Sequence, residues 1–406
     1  MCTDIKRDCA VPRSLTIVVP ALNEEEAIGS TIERCLSARS SLREHTPIKE
    51  VEIIVVSDGS TDRTPEIARS YESVRVIEYE KNRGYGAAIK QGFADGKGDM
   101  LGFLDADGTC DPEYFVDLCN HAIERDADVV VGSRMTPKSK MPAIRRLGNK
   151  IYAILLSFLS NRKISDTASG MRVIRREALS KLYPLPDGLH FTPAMTCKSV
   201  FQDGLTIQEL PISYQERVGR SKLNIFKDGI RFLSVITETA LTYRPFTFFC
   251  GAAALLFLMA FLLGAQPVWT YLHERKIPDS FIFRLITINT LAFAGFLLLS
   301  IGIVADRVAT AMNGSTSKRR FITRLLTSFC TSRRLLIAGI IPLFSGVALN
   351  SGPILDYILT RHISYHWIYV SVGSLLVLTG LQLIALGVFE LLISRIVERN
   401  GNKTGI

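Results

Sequence analysis

The chain has little tryptophan and no cysteine pair at a metal-ligand spacing. Trp269 and Trp367 are the only tryptophans in 406 residues, and both fall in the C-terminal part. The eight cysteines, Cys2, Cys9, Cys35, Cys110, Cys119, Cys197, Cys250 and Cys330, form no CxxC motif. A zinc module and a small disulfide scaffold are therefore excluded, and the thiols are expected to be reduced or buried. The opening MCTDIKRDCAVPRS is charged but has no apolar core, so a cleavable signal peptide is not expected. The net charge of +9 is concentrated beside apolar stretches, where anionic lipid headgroups and orientation rules account for it. No nucleic acid partner is expected.

What is present divides into two unlike halves. Up to about residue 244, charged and apolar residues alternate at globular intervals; beyond it, uncharged apolar stretches dominate. Four of these stretches, about residues 246–264, 285–304, 335–355 and 367–389, are long enough to cross a bilayer core of about 30 Å as helices. No polar face interrupts them, and no ionisable residue in them marks a transport path. Asn289 and Gln382 are expected to stitch helices together. The expected layout is a globular domain over residues 1–222, an amphipathic juxtamembrane helix over 223–245, a membrane domain over 246–394 and a tail over 395–406.

The connection 306–334 carries Arg307, Lys318, Arg319, Arg320, Arg324, Arg333 and Arg334, whereas the opposite loops hold mainly Arg275, Lys276 and Arg361. The positive-inside rule places the richer loop in the cytoplasm. With four crossings, both termini and the globular domain follow it there, in an integral protein of the cell inner membrane or its equivalent.

The globular half reads as repeated strand–loop–helix units. Apolar runs at 14–20 (SLTIVVP), 51–56 (VEIIVV), 74–79, 100–104 and 128–131 each stop at a polar or glycine-rich turn. This order predicts a doubly wound, mostly parallel α/β sheet. In such sheets ligands bind beyond the C-terminal ends of the strands, where Asn23, Glu24, Asp58, Asp105 and Asp107 all stand. Asp105 and Asp107, one residue apart, are hard anionic ligands suited to a divalent cation carrying a diphosphate.

The blocks VVPALNEE, VVSDGSTD, NRGYGAA, FLDADG and VVGSR resemble those of inverting family-2 nucleotide-diphospho-sugar transferases, which have the glycosyltransferase A fold. That resemblance spans about 240 residues and implies that Pro20, Asn23, Glu24 and Asp58 line the base and ribose. It implies that Asp105, Ala106 and Asp107 hold the diphosphate, with Asp105 and Asp107 binding Mg²⁺ or Mn²⁺. Leu22 replaces an aromatic residue common in relatives, and Thr109 a common glutamine.

Farther along, DTASGMR, HFTPAM and ERVGRSK resemble the polyprenyl-phosphate branch, the dolichol- and undecaprenyl-phosphate hexose synthases. By that resemblance Arg217 and Lys222, with Arg134 and either Arg145 or Arg146, bind the lipid phosphate and the diphosphate. Arginine offers a planar fork for phosphate and lysine a compact charge. The expected reaction is transfer of a hexose, mannose or glucose, from a GDP- or UDP-sugar to a polyprenyl phosphate. Oligomeric state is not fixed, and a homo-oligomer stays among the alternatives.

A helix is predicted over 144–159, with Ile144, Leu147, Ile151, Ile154, Leu155 and Phe158 on one face. Two placements fit it, as a cap over the sheet or as a helix lying at a membrane surface. A processive polysaccharide synthase is disfavoured because its QxxRW block is absent. A non-catalytic scaffold or lipid-sugar transporter is disfavoured by the intact Asp105, Asp107 and Arg217.

Overall fold

The computed structural model describes residues 11–137, 139–219, 225–313 and 332–401. Lys222, predicted to bind phosphate, lies outside the described residues, as do Lys318, Arg319, Arg320 and Arg324. The chain forms two compact units, Met1–Ala240 and Leu241–Ile406.

The first unit is built on one seven-stranded sheet of order β3-β2-β1-β4-β6-β5-β7. Its strands are β1 (Ser14–Ala21), β2 (Glu50–Asp58), β3 (Arg75–Tyr79), β4 (Met100–Phe103), β5 (Val129–Ser133), β6 (Arg172–Arg175) and β7 (Ile207–Pro211). Only β6 runs antiparallel to its neighbours, so the sheet is mostly parallel as expected. Strands β6 and β7 were not anticipated: they are short, and RVIR and IQELP carry charge inside the run.

Helices cover both faces. They are α1 (Ile28–His45), α2 (Thr64–Arg69), α3 (Tyr85–Asp95), α4 (Tyr114–Glu124), α5 (Ala143–Ser160), α6 (Leu179–Leu182), α7 (Phe191–Phe201) and α8 (Ile225–Tyr243). Successive strand side chains point to opposite faces. Accordingly Ile17 and Val19 pack with Ile28, Ile32 and Phe115, while Val18 packs with Phe93 and Phe191. A strand buried on both faces has no reason to alternate, which is why TIVV and EIIVV read as continuous apolar runs. Each fully buried isoleucine or valine contributes about 1.5–3 kcal/mol.

The register then builds the site. Ala21 pairs with Ser57 across β1 and β2, and Val18 pairs with Phe103 across β1 and β4. The C-terminal ends of β1, β2 and β4 therefore lie side by side. The turns that follow them open onto one crevice.

The burial of helix α5 bears on one of the two placements left by the sequence. Its buried positions are Asn149, Ala153, Leu156, Leu159 and Ser160. Of the predicted apolar stripe, Ile144, Leu147, Ile151, Ile154 and Phe158 are 54–60% exposed and Leu155 is half-buried. Capping the sheet with that stripe is overturned; the small and mixed face is the one packed inward.

In the second unit α9 (Pro245–Glu274), α10 (Ile282–Asn313), α11 (Ser332–Thr360) and α12 (Trp367–Gly401) are long and apolar enough to cross a membrane. They outrun the stretches read from the sequence, because hydropathy marks only the uncharged middle of each helix. Asn289 Nδ2 donates to Ser371 Oγ (2.6 Å) and Gln382 Nε2 to Ser300 Oγ (2.8 Å), stitching helices together. Buried Glu390, just past the fourth stretch, accepts from Arg307 Nε at 3.3 Å. In α11 and α12 the backbones nearly touch: a Cβ on Gly346 would lie 2.6 Å from the Gly373 carbonyl oxygen, and one on Gly380 2.8 Å from that of Gly339.

Candidate active site

A cavity of about 470 Å³ starts at the ends of β1, β2 and β4 and runs between α5 and α8. Pro20, Glu24, Asp58, Asp105, Ala106, Asp107, Arg134 and Arg217 all line it. Asn23 has another task. Held at φ 48°, it accepts a 2.7 Å hydrogen bond at Oδ1 from the Thr61 amide and so clamps the turn after β2. Asp58 lines the cavity, but its two oxygens accept from the Arg83 and Gly84 amides at 2.7 and 2.9 Å. It fixes the loop that leads into α3.

The two central carboxylates are held differently. Asp105 Oδ1 accepts from the Tyr85 hydroxyl at 2.7 Å. Its other oxygen rests on Gly170, where an added Cβ would lie only 2.0 Å away. Burial, and then the charge of Asp107, push the Asp105 carboxyl up to about 7. Asp107 Oδ1 accepts from the Thr109 amide (3.1 Å) and hydroxyl (2.6 Å). Thr109 thus orients Asp107.

Of the predicted phosphate-binding arginines, Arg134 is largely committed. It donates through Nε (2.8 Å) and Nη2 (2.9 Å) to Asp166, a buried residue 32 positions away in sequence. Burial alone would raise the Asp166 carboxyl, yet the Arg134 charge and hydrogen bonds hold it below its usual range. Arg146 straps a loop through Thr136 and Ser139 carbonyls, whereas Arg145 lines the cavity. Arg217 donates through Nη1 to Asp107 Oδ2 at 2.8 Å and through Nη2 to Glu24 Oε1.

Tyr85, Arg172 and two residues of α8 had no role assigned from the sequence. Tyr85 sits inside the quoted NRGYGAA block, but no spacing rule ties it to Asp105. Arg172 is fully buried, donates to the Ser169 and Thr167 carbonyls at 3.1 Å each, and is pushed by burial down to about 10. At the far end α8 supplies Arg231 and Phe232 opposite Arg145, Ile144 and Tyr152 of α5. The Tyr152 hydroxyl donates to the Gly229 carbonyl at 2.9 Å and links the two helices.

The residues fit a divalent cation. Burial and then the neighbouring Asp107 charge make Asp105 resist ionisation, which a cation would relieve, and Asp107 already seats a cationic guanidinium. Among the described residues no three His, Cys, Asp or Glu side chains form a cage. A metal held by Asp105 and Asp107 would complete its shell with substrate phosphates.

Residues 16–183 match the model of the glycosyl transferase family 2. Over 242 residues the chain is 36% identical to a dolichyl-phosphate hexose transferase of Haloferax volcanii, covering 57% of this chain and 95% of that protein. The chain belongs to glycosyl transferase family 2. Its first unit accordingly has the glycosyltransferase A fold, and the protein is a glycosyltransferase.

Other relatives match over similar stretches of this chain. A low-salt glycan biosynthesis hexosyltransferase of the same organism is 34% identical over 238 residues, 57% of this chain and 55% of the relative, so the chain spans about half of that protein's length. A dodecaprenyl-phosphate galacturonate synthase of Rhizobium johnstonii is 27% identical over 263 residues, 62% of this chain and 75% of the relative. Among solved structures, glucosyl-3-phosphoglycerate synthase of Mycobacterium tuberculosis, in complex with Mn²⁺, UDP and glucosyl-3-phosphoglycerate, aligns with 22% identity and a TM-score of 0.46 over 56% of this chain and 80% of that one.

Proposed function

We propose that this glycosyltransferase moves a hexose from a nucleotide diphosphate sugar to a polyprenyl phosphate with inversion. The observation that carries this reading is the two-ended cavity. One end gathers Asp105, Asp107 and Arg217 beside the nucleotide-side residues Pro20 and Asp58; the other sets Arg145 and Arg231 among Ile144, Tyr152 and Phe232. An anionic headgroup on an apolar tail needs that second combination. Relatives named as dolichyl-phosphate and dodecaprenyl-phosphate sugar transferases support the same acceptor class.

The acceptor phosphate is ionised at neutral pH and needs no strong general base. One of its oxygens attacks the anomeric carbon in line, forming the new carbon–oxygen bond. The bond to the donor diphosphate breaks, and its electron pair leaves with the nucleoside diphosphate. Arg145 and Arg231 orient the attacking phosphate, and Arg217 meets charge on the departing one. Asp105 and Asp107 would hold Mg²⁺ or Mn²⁺, which supplies Lewis-acid offset of that departing charge. Lys222 is assigned to the same phosphates on its motif.

The exposed stripe of α5 supports a helix lying on a lipid surface. With the positive-inside bias of the connection 306–334, this supports an integral membrane protein whose catalytic domain and termini are cytoplasmic.

Radiolabelled UDP-glucose and GDP-mannose, each offered with polyprenyl phosphate in detergent, test the reaction. Wild-type protein should form a lipid-linked sugar from one donor, and Asp107→Ala should lose at least about a hundredfold in rate. No product from any nucleotide sugar, or equal rates for both proteins, refutes the proposal.

A further inference from the structure

Arg217 has the side chain of a phosphate ligand, yet its guanidinium rests on carboxylates. Its Nη1 lies 2.8 Å from Asp107 Oδ2, and its Nη2 donates to Glu24 Oε1. The chain on either side is strapped to the turn bearing Asp107. The Gln215 amide donates to the Thr109 carbonyl at 2.8 Å, and the Val218 amide to the Asp107 carbonyl at 3.2 Å. Arg217 therefore belongs to the same local assembly as the carboxylate it pairs with.

The two oxygens of Asp107 are not equivalent. Thr109 occupies Oδ1 through amide and hydroxyl. A cation approaching Asp107 must turn to Oδ2, which Arg217 holds. Arg217 Nε is also buried and has no hydrogen-bond partner. A buried donor without an acceptor is costly, and a phosphate oxygen is the kind of group that would satisfy it.

Resting on the metal-dependent reading above, we infer that Arg217 is the resident cation of Asp107 and that it competes with the divalent ion for Oδ2. With a divalent ion at Oδ2, Nη1 would be displaced from Asp107, because two positive groups at one oxygen repel each other. Glu24 is the positioning residue: its carboxylate keeps the guanidinium at the cavity wall. From there Nε and the released Nη1 face phosphate oxygens. Glu24 then acts through Arg217, in place of the base and ribose contact that the family resemblance implies.

The test measures Mn²⁺ binding to the full-length protein in detergent, without nucleotide, by electron paramagnetic resonance of the free ion. Removing a simple phosphate ligand would leave Mn²⁺ affinity unchanged. Removing a competitor should raise it, and Arg217→Gln is expected to bind Mn²⁺ roughly fivefold more tightly, the scale of a partly exposed ion pair. Arg217→Ala should do the same, while Asp107→Ala should abolish binding in either background. Unchanged or weaker binding in both Arg217 variants, with loss in Asp107→Ala, overturns the competition and leaves the proposed function standing. Mn²⁺ binding that survives Asp107→Ala, or is absent throughout, removes the metal role of Asp107 and the inference with it.

Glu24 is tested in the transfer assay. Glu24→Gln should lower kcat with donor KM held within about twofold, and Glu24→Gln combined with Arg217→Gln should be no slower than Arg217→Gln alone. A large rise in donor KM, or losses that add, would assign Glu24 to the nucleotide and overturn its positioning role.

Discussion

The two ends of the cavity are stabilised by opposite means. At the sheet end, charges are answered by charges: Arg134 by Asp166, and Arg217 by Glu24 and Asp107 together. At the helix end, the α5 stripe stays exposed, and Tyr152 of α5 meets α8 through its hydrogen bond to the Gly229 carbonyl and its edge-on packing against Phe232. Geometry at the first end is over-determined, so a small displacement should be severe. The second end is built to meet something greasy, and its substitutions should act through partitioning.

The sharpest way to break that contrast is Gly170→Ala. The new methyl would fall on Asp105 Oδ2, on a carboxylate whose other oxygen, Oδ1, is held by Tyr85. Transfer should fall by roughly a hundredfold, as for a catalytic group misplaced by about 1 Å, with the fold retained by circular dichroism. An unaffected rate would mean the sheet end is looser than its contacts imply.

A smaller effect is expected at the other end. Replacing Ile151 and Ile154 of α5 by serine should weaken binding of the protein to anionic liposomes and slow transfer to long polyprenyl phosphates by about tenfold, since each isoleucine is already near half covered and gains at a lipid surface only a fraction of the about 1.5–3 kcal/mol of full burial. Transfer to a short, water-soluble phosphate acceptor should hardly change. If both acceptors slow equally, the stripe belongs to the catalytic core instead.

The smallest effect concerns charge. Asp105 has a folded-state value of about 7 against an ordinary 3.8. Between those values the folded protein keeps a proton that the unfolded chain releases, so this residue's contribution to stability declines as pH rises from about 4 to about 7. In metal-free buffer Asp105→Asn should therefore raise the unfolding midpoint at pH 8 and leave it nearly unchanged at pH 4. A midpoint difference independent of pH would show that Asp105 titrates normally.

What the sequence made legible follows from distance along the chain. Strands flanked by contiguous motifs declared themselves, because an apolar run and its polar turn are neighbours. The crevice at the ends of β1, β2 and β4 followed from the same order. Partnerships across long separations stayed hidden: nothing local announces that Arg217 meets Glu24, or that Asp166 largely takes up Arg134. The α5 stripe was visible but its direction was not. Periodicity identifies an apolar face without saying whether protein or lipid covers it. Strands β6 and β7 were missed because four or five residues carrying charge leave too weak a period.

In the last helical hairpin, Gly339 and Gly346 face Gly380 and Gly373, seven residues apart in each helix. Two turns of helix separate these contacts, so sliding one helix by a single turn would drive bulky side chains into main chain at both places. The hairpin consequently has one permitted alignment and no internal gear: whatever motion accompanies a catalytic cycle, these two helices travel together as a single rigid post.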